Sequence, residues 1–539
     1  MRRMRWCWWA VGLAMATVGC TSPRDYIRNG FKVGPEYCPP PAPTAQQWID
    51  AADVRVRQEP EEQARWWAVF RDPVLNALIV DAYRQNLTLG QAGMRVLQAR
   101  AQLGIAVGGL FPQHQTASGA YTALGRSIAG INGPFFGQRY LDQWQFGFNM
   151  AWELDFWGRF RRAVEAADAR LSASVEDYDD VLVTLLGDVA TNYVQTRVAQ
   201  EQIELVRANA QLQRQILKIA EARFEAGRVS ELDVDQARST LAQTEAQIPL
   251  LEIVLRRAQN RLCVLMGMPP QQLEERLGQR TIPSPPTHVV VGIPAQLLAR
   301  RPDVRRAERL VAAQSEEIGI AQADLYPAIS ITGNLGFQAL QFSRLFSSRA
   351  FTGSEGPSFQ WNLLNYGRIA NNIRLQDARL QELILAYQQT VLLAAEEVEE
   401  GLVTFLRAQE RAKLLEESVF NAQKAVNVVI AQYRAGTVDF NRVALIAQDL
   451  VRQQDLLAQA QGQIAQGLIQ AYRALGGGWQ IRLESEEELA AVEPAEVPEP
   501  PKKPRIPDIL DQPGAAPLPP AKTPAEKPAV PPAKKDAKP

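Results

Sequence analysis

Apolar and small residues return every seven positions through the second half of the chain, from about Gly367 to Tyr433. One register runs Ile384, Val391, Val398, Phe405, Ala412, Val419, Val426 and Tyr433. Its companion runs Leu380, Tyr387, Ala394, Gly401, Ala408, Leu415, Ala422 and Val429, with no proline between. This spacing predicts a single supercoiled helix, on the order of 100 Å long. The pattern also occurs 209 residues earlier. There the registers are Val175, Leu182, Val189, Thr196, Ile203, Ala210, Leu217 and Phe224, and Leu171, Tyr178, Leu185, Asn192, Ala199, Val206, Gln213 and Ala220, with Asn192 and Gln213 as polar intrusions.

Both helices are expected to end at a glycine, in Arg223-Phe224-Glu225-Ala226-Gly227 and Gln432-Tyr433-Arg434-Ala435-Gly436. Glycine suits a helix C-terminus. Helical pattern resumes a few residues later, so each glycine marks the tip of a helical hairpin. Both helices begin alike too, with Trp152-Glu153-Leu154-Asp155-Phe156-Trp157-Gly158-Arg159 answered by Trp361-Asn362-Leu363-Leu364-Asn365-Tyr366-Gly367-Arg368. A constant offset through helices, flanks and tips identifies an internal duplication.

Ahead of each long helix the period changes to two. Gln113 to Tyr121 and Gln143 to Met150 alternate, with Trp144, Phe146, Phe148 and Met150 set against Gln145, Gly147 and Asn149. In the second repeat Ala328 to Phe337 and Ser358 to Leu364 read as the matching strands, with Gln338 to Gly356 as the loop between them. Strands of about ten residues flanked by aromatics have the length and the girdles of membrane-spanning β-strands. The alternative is a small soluble sheet capping a helical bundle. If the strands cross lipid, each pair leaves open edges, so several chains must close one barrel.

The organisation expected from these patterns is as follows. A signal segment (1–19) precedes a proline-rich extended strap (20–60) and a helical region (61–112) opened by Asp72-Pro73. The first membrane hairpin (113–152) leads to the first long helical hairpin (153–267). A proline-broken connector (268–295) with a possible short strand at Val289 to Val291 follows. A helical region (296–327), the second membrane hairpin (328–364) and the second helical hairpin (365–478) come next. A Pro/Ala/Lys-rich tail (479–539) closes the chain, and its composition cannot bury a core.

The formal net charge of −1 excludes the concentrated basic face that nucleic acid requires. No run of about eighteen apolar residues is present, so no helix crosses a bilayer and any membrane passage uses strands. Four cysteines and two histidines form no zinc, redox or disulfide pattern. Cys263, at an apolar helical position, reads as a small core residue. No nucleophile elbow, phosphate loop or zinc-protease motif is visible, so neither an enzyme nor a cofactor is expected.

The N-terminus has a basic segment, Met1-Arg2-Arg3-Met4-Arg5, and an apolar run from Trp6 to Val18, which together read as an export signal. Thr17-Val18-Gly19-Cys20 resembles a bacterial lipoprotein signal, which implies cleavage before Cys20 and acylation of that residue. Thr17 stands where such signals usually carry leucine, and ordinary cleavage nearby is the alternative. Thr21, which is not aspartate, favours sorting to the outer membrane under that resemblance.

In order along the chain, Val33-Gly34-Pro35-Glu36-Tyr37, Trp66-Trp67 with Asp72-Pro73, and Trp152 to Arg159 come first. Arg301-Pro302-Asp303-Val304 with Ala321 to Pro327, and the tips at Gly227 and Gly436, follow. Over residues 31 to 478 this pattern resembles the bacterial outer membrane factors, the TolC-like exit ducts, and within them the lipoprotein branch serving resistance-nodulation-division pumps. The resemblance implies a mostly α fold with a small membrane β part. It implies a homotrimer whose four strands per chain close one twelve-stranded β-barrel, continued by a long periplasmic α-barrel. It further implies passive conduction, outer membrane location, a periplasmic adaptor and an inner membrane pump as partners. It makes Gly227, Val229, Ser230, Leu232, Gly436, Val438, Asp439 and Phe440 the adaptor-docking tips; the apolar ones could instead only pack the turns. Many relatives place an acidic residue nine positions beyond the second tip glycine. Here that residue is Leu445, with Arg442 nearby, so no acidic cation-binding ring carries over. The expected gate is a mouth closed by packing and by contacts of Asp439, Asn441 and Arg442.

Two other readings stand beside the efflux duct. One is a duct for type I protein secretion, which the sequence does not separate from small-molecule efflux. The other is a lipid-anchored coiled coil that braces the envelope, for which paired aromatic-flanked strands have no use.

Overall fold

The computed structural model describes residues 22–57, 64–125 and 140–485. The signal segment, Cys20, the first hairpin's loop and residues 486–539 of the tail lie outside the described residues. A short helix α1 (Pro23–Arg28) opens the strap, which ends in β1 (Val56–Arg57). Helices α2 (Pro73–Gln85) and α3 (Leu87–Gly108) lead to strands β2 (His114–Gly125) and β3 (Tyr140–Leu154). The long helix α4 (Arg159–Glu225) returns as α5 (Glu231–Glu245) and α6 (Gln247–Leu265). The connector holds α7 (Glu274–Leu277), β4 (Val289–Val290) and α8 (Leu297–Arg300). Then α9 (Pro302–Ala323), β5 (Ala328–Ala339), β6 (Phe351–Gln360), α10 (Arg368–Ala435) and α11 (Phe440–Ala474) repeat the first half.

The long helices have 67 and 68 residues, about 100 Å each at the standard rise. The heptad registers describe their packing. Val391, Val398, Phe405, Ala412, Val426 and Tyr433 are buried, as are Tyr387, Ala394, Gly401, Ala408 and Val429 of the companion register. Helix α4 is buried over a wider arc, because α2, α3, α5, α6, α9 and α11 all pack on it. Cys263 is fully buried in α6. The duplication is also physical. The Trp152 indole donates to the Leu110 carbonyl at 3.2 Å, and the Trp361 indole donates to Leu325 at 2.9 Å.

The sheet is antiparallel in the order β2-β3-β5-β6. Its register sorts the residues onto two faces. One face carries the row Thr116, Asn149, Asn334 and Ser354, and four residues along each strand Gln145 aligns with Gln338. The other carries Ala117, Phe148, Leu335 and Gly353, then Gly119, Phe146, Phe337 and Phe351. Both faces are largely exposed in the single chain, as are Phe148 and Leu335. The fourth strand differs from the reading Ser358–Leu364: it starts at Phe351 and ends at Gln360. Gly353, Gly356 and Pro357 hide its alternation.

Asp72 caps α2 as its sequence position predicts, accepting from the Val74 amide at 2.9 Å. The helical region expected over 61–112 is interrupted at Asn86. Its side chain caps α3 through the Leu89 amide at 2.8 Å and donates to the Leu265 carbonyl. The short strand expected in the connector forms, and β4 pairs in parallel with β1. The chain also stays packed past the expected start of the tail at 479. Ile481 is buried, Arg482 pairs with the fully buried Asp179 at 2.5 Å, and Arg65 pairs with Glu484 at 2.6 Å.

The strap fastens the helices just below the sheet. Arg162, buried at the start of α4, donates to the Val33 carbonyl at 2.5 Å and pairs with Glu316 of α9. Gly34 has φ +98°, and a Cβ there would lie 2.5 Å from Gly319 Cα. A Cβ on Gly319 would meet the Arg162 side chain at 2.2 Å. Gly319→Ala must therefore displace a buried arginine, and we expect it to cost roughly 1–3 kcal/mol of stability. Thermal unfolding of the detergent-purified protein checks this; a variant with unchanged melting would refute the strap clamp.

Candidate functional site: the hairpin tips

Both tips are built from the same local chemistry. Gly227 and Gly436 have φ of +66° and +79°, the left-handed conformation that lets a chain leave a helix sharply. Behind them Arg228 donates to the Arg223 carbonyl, and Thr437 donates to the Gln432 carbonyl. These closures sit at corresponding positions of the two repeats. Ser230 precedes α5 without a side-chain cap, whereas Asp439 caps α11 by accepting from the Arg442 amide at 3.0 Å. Asp439 is thus accounted for as a helix cap.

The remaining tip residues divide by exposure. Phe440 is 2% exposed and lies 5.8 Å from the Tyr433 ring, nearly perpendicular to it. With Ile216, Val234, Ala237, Val426, Ile430 and Val443 it forms a second hydrophobic core that joins the two tips. Val229 and Val438 are half-buried, and Val438 packs on that core. Leu232 and Leu445 are 70% and 67% exposed. Asn441 and Arg442 are exposed, and Gln236 donates to Asn441 at 3.5 Å. So Phe440 packs the turn, while Leu232 and Leu445 face outward.

The structure also brings together three residues that the sequence reading did not place in the site. The Arg223 guanidinium lies 4.4 Å from the Tyr433 ring centroid and donates to the Tyr433 carbonyl. The Tyr433 hydroxyl donates to Asp233 at 3.4 Å. These residues bind the end of α4, the start of α5 and the end of α10 into one lock. Burial of the Tyr433 phenol, with the Asp233 carboxylate beside it, pushes its pKa up to about 12.

A sheet with one apolar and one polar face, carried on two antiparallel helical hairpins about 100 Å long, defines an outer membrane duct. The chain belongs to the outer membrane efflux protein family, which matches it over residues 78–268 and 293–477. The two matched blocks end 209 residues apart, the offset of the duplication. The pyoverdine export outer membrane protein OpmQ of Pseudomonas putida is 31% identical over 440 residues, covering 80% of this chain and 92% of that protein. The probable outer membrane lipoprotein SilC of Salmonella typhimurium is 26% identical, covering 83% and 95%. The structure of the outer-membrane channel OprN superposes with a TM-score of 0.78 at 33% identity, covering 83% of this chain and 99% of that one. The protein is an outer membrane efflux channel, a passive duct and not an enzyme.

The raised Tyr433 pKa has a signed consequence. The folded tip favours the neutral phenol, so this contribution is full below pH 10, the ordinary tyrosine value. It is lost as pH rises from 10 towards about 12. Wild type minus Tyr433→Phe should show an alkaline loss of tip stability in that window, read by hydrogen exchange of the α10 C-terminal amides. Coincident curves would contradict the lock.

Proposed function

We propose that three copies of this chain close one twelve-stranded barrel and form the outer membrane exit duct of a tripartite efflux system. The observation that carries this reading is the sheet itself. It has an apolar and a polar face, and β2 and β6 each have one unpaired edge. In lipid an open edge is not tolerated, and cyclic repetition pairs β6 of each chain with β2 of the next. The apolar face then meets lipid, and the polar face lines the lumen.

Below the membrane, the hairpins form a helical conduit and the tips meet a periplasmic adaptor. Gly227, Val229, Ser230 and Leu232 belong to one docking tip, and Gly436, Val438 and Asp439 to the other. An inner membrane pump of the resistance-nodulation-division class drives transport. The tips also close the duct at rest. The Arg223–Tyr433–Asp233 lock holds the two hairpins of one chain together, and Leu445, Asn441 and Arg442 line the mouth. Leu445 replaces the charge that would make an acidic ring, so closure there rests on packing. Lipidation at Cys20 anchors the N-terminus to the outer membrane, in keeping with SilC, a probable outer membrane lipoprotein; two anchors of different kind, lipid and barrel, then fix the strap.

In planar bilayers the wild-type channel should conduct weakly. Arg223→Ala with Tyr433→Phe should raise conductance several-fold, and Leu445→Ser should raise it as well. Absence of conductance in all of these would overturn the duct, and an unchanged Leu445→Ser channel would overturn the packed mouth. Labelled palmitate should be incorporated into the wild type and lost in Cys20→Ser; label retained in the variant would refute acylation at that residue.

A further inference from the structure

The offset of 209 residues runs without a gap from Trp152 to Met268 against Trp361 to Gly477. Helix α6 ends at Leu265 and α11 at Ala474, each followed at the same distance by a glycine of positive φ, Gly267 and Gly476. Every residue of one helical hairpin therefore has a defined counterpart in the other.

This correspondence supplies a template for a contact that one chain cannot show. Within the chain, the first hairpin meets the second over an apolar core fringed by polar contacts. Arg223 lies on the Tyr433 ring, the Tyr433 hydroxyl reaches Asp233, and Gln236 reaches Asn441. In a ring of three chains the hairpins alternate, so a second kind of seam joins the second hairpin of each protomer to the first hairpin of the next. This step rests on the trimeric duct proposed above.

We infer that this second seam repeats the geometry of the first with its polar fringe exchanged for an apolar one. The counterpart of Gln236 is Leu445, and the counterpart of Asn441 is Leu232. The polar pair becomes Leu445 of one protomer packed on Leu232 of the next. The counterpart of Tyr433 is Phe224, which has no hydroxyl to donate. The counterparts of Asp233 and Arg223 are Arg442 and Gln432. By that template Gln432 of one protomer lies over the Phe224 ring of its neighbour, as Arg223 lies over Tyr433, and Arg442 stands at the ring edge, as Asp233 stands at the Tyr433 hydroxyl.

Exposure supports the assignment. Leu232, Leu445 and Phe224 are 70%, 67% and 43% exposed, whereas Tyr433, the counterpart of Phe224, is 1% exposed. Tyr433 of the intramolecular seam is buried, whereas Leu232, Leu445 and Phe224, which the intermolecular seam would cover, are open. Three apolar side chains at one end of a water-exposed hairpin call for a cover. A second copy, presenting the same set in register, provides it. The two seams then open by different means. The intramolecular one must break a hydrogen bond and a cation–ring contact, and the intermolecular one must part leucines.

The test uses the full chain in outer membranes, with Cys38→Ser as background because Cys38 is an exposed free cysteine. Leu232→Cys with Leu445→Cys, oxidised by copper phenanthroline, should give covalent dimers and trimers on non-reducing gels. Leu232→Cys alone should give none, and Leu445→Cys alone, whose copies face one another across the mouth, should give no covalent trimer. Gln236→Cys with Asn441→Cys is the companion and should close within one chain, leaving a monomer of altered mobility. If the Leu232/Leu445 pair stays monomeric while the companion closes and native gels show a trimer, the seam is wrong and the duct stands. If native gels show no trimer, the duct fails, and the seam with it.

Discussion

The unpaired edges of β2 and β6 set the terms for the rest of the molecule. In water they could be hydrated. In the hydrocarbon of a membrane each bare amide and carbonyl carries a desolvation cost of several kcal/mol. Four strands are too few to curl shut, and their polar face needs a lumen to look into. Closure by symmetry answers both needs, and it fixes what lies below. Helices leaving a closed ring of strands must themselves form a ring. The duplication makes that ring from equivalent hairpins, two from each chain.

Buried polar contacts sit where segments distant in sequence converge. Arg162 ties the strap to α4 and α9. At the connector, the fully buried Arg197 donates to the Leu277 and Gly278 carbonyls and to the Tyr193 hydroxyl, which in turn bonds Asp72 at 2.5 Å. Arg301 donates to the Ala474 carbonyl at the C-terminus of α11 while paired with Asp303. These clusters hold the upper and middle parts of the structure. The tips have a separate, smaller core and one lock. The part expected to move is therefore fastened independently of the part that stays fixed.

Much of this was legible in the sequence because it rests on local rules. The heptads of α4 and α10, the tip glycines, the Asp72 cap and the alternation of β2, β3 and β5 need only neighbouring residues to be recognised. Strand β6 was misplaced because Gly353, Gly356 and Pro357 read as turn residues when the partner strand is unknown. The break at Asn86 was missed because the apolar pattern runs on across it, although the Asn86 cap itself is local, and its further bond to Leu265 lies far along the chain. At the tips the turns were legible and the lock was not. Tyr433 meets Arg223 and Asp233 across about 200 residues, and no periodicity marks such a pair. Phe440 was a docking residue only by resemblance, with packing of the turn as the alternative, and its ring fills the tip core. The one signal that could have found the lock was the duplication itself: Tyr433 stands where the first repeat has Phe224, and only one of the two carries a hydroxyl.

The measurement that bears most directly on the account is the native mass of the detergent-extracted protein, taken with lipid and detergent subtracted. The account requires three chains, because the open edges of four strands must be satisfied by neighbours. A stable monomer that keeps its β content in detergent would show that the edges are tolerated unpaired, and would contradict it.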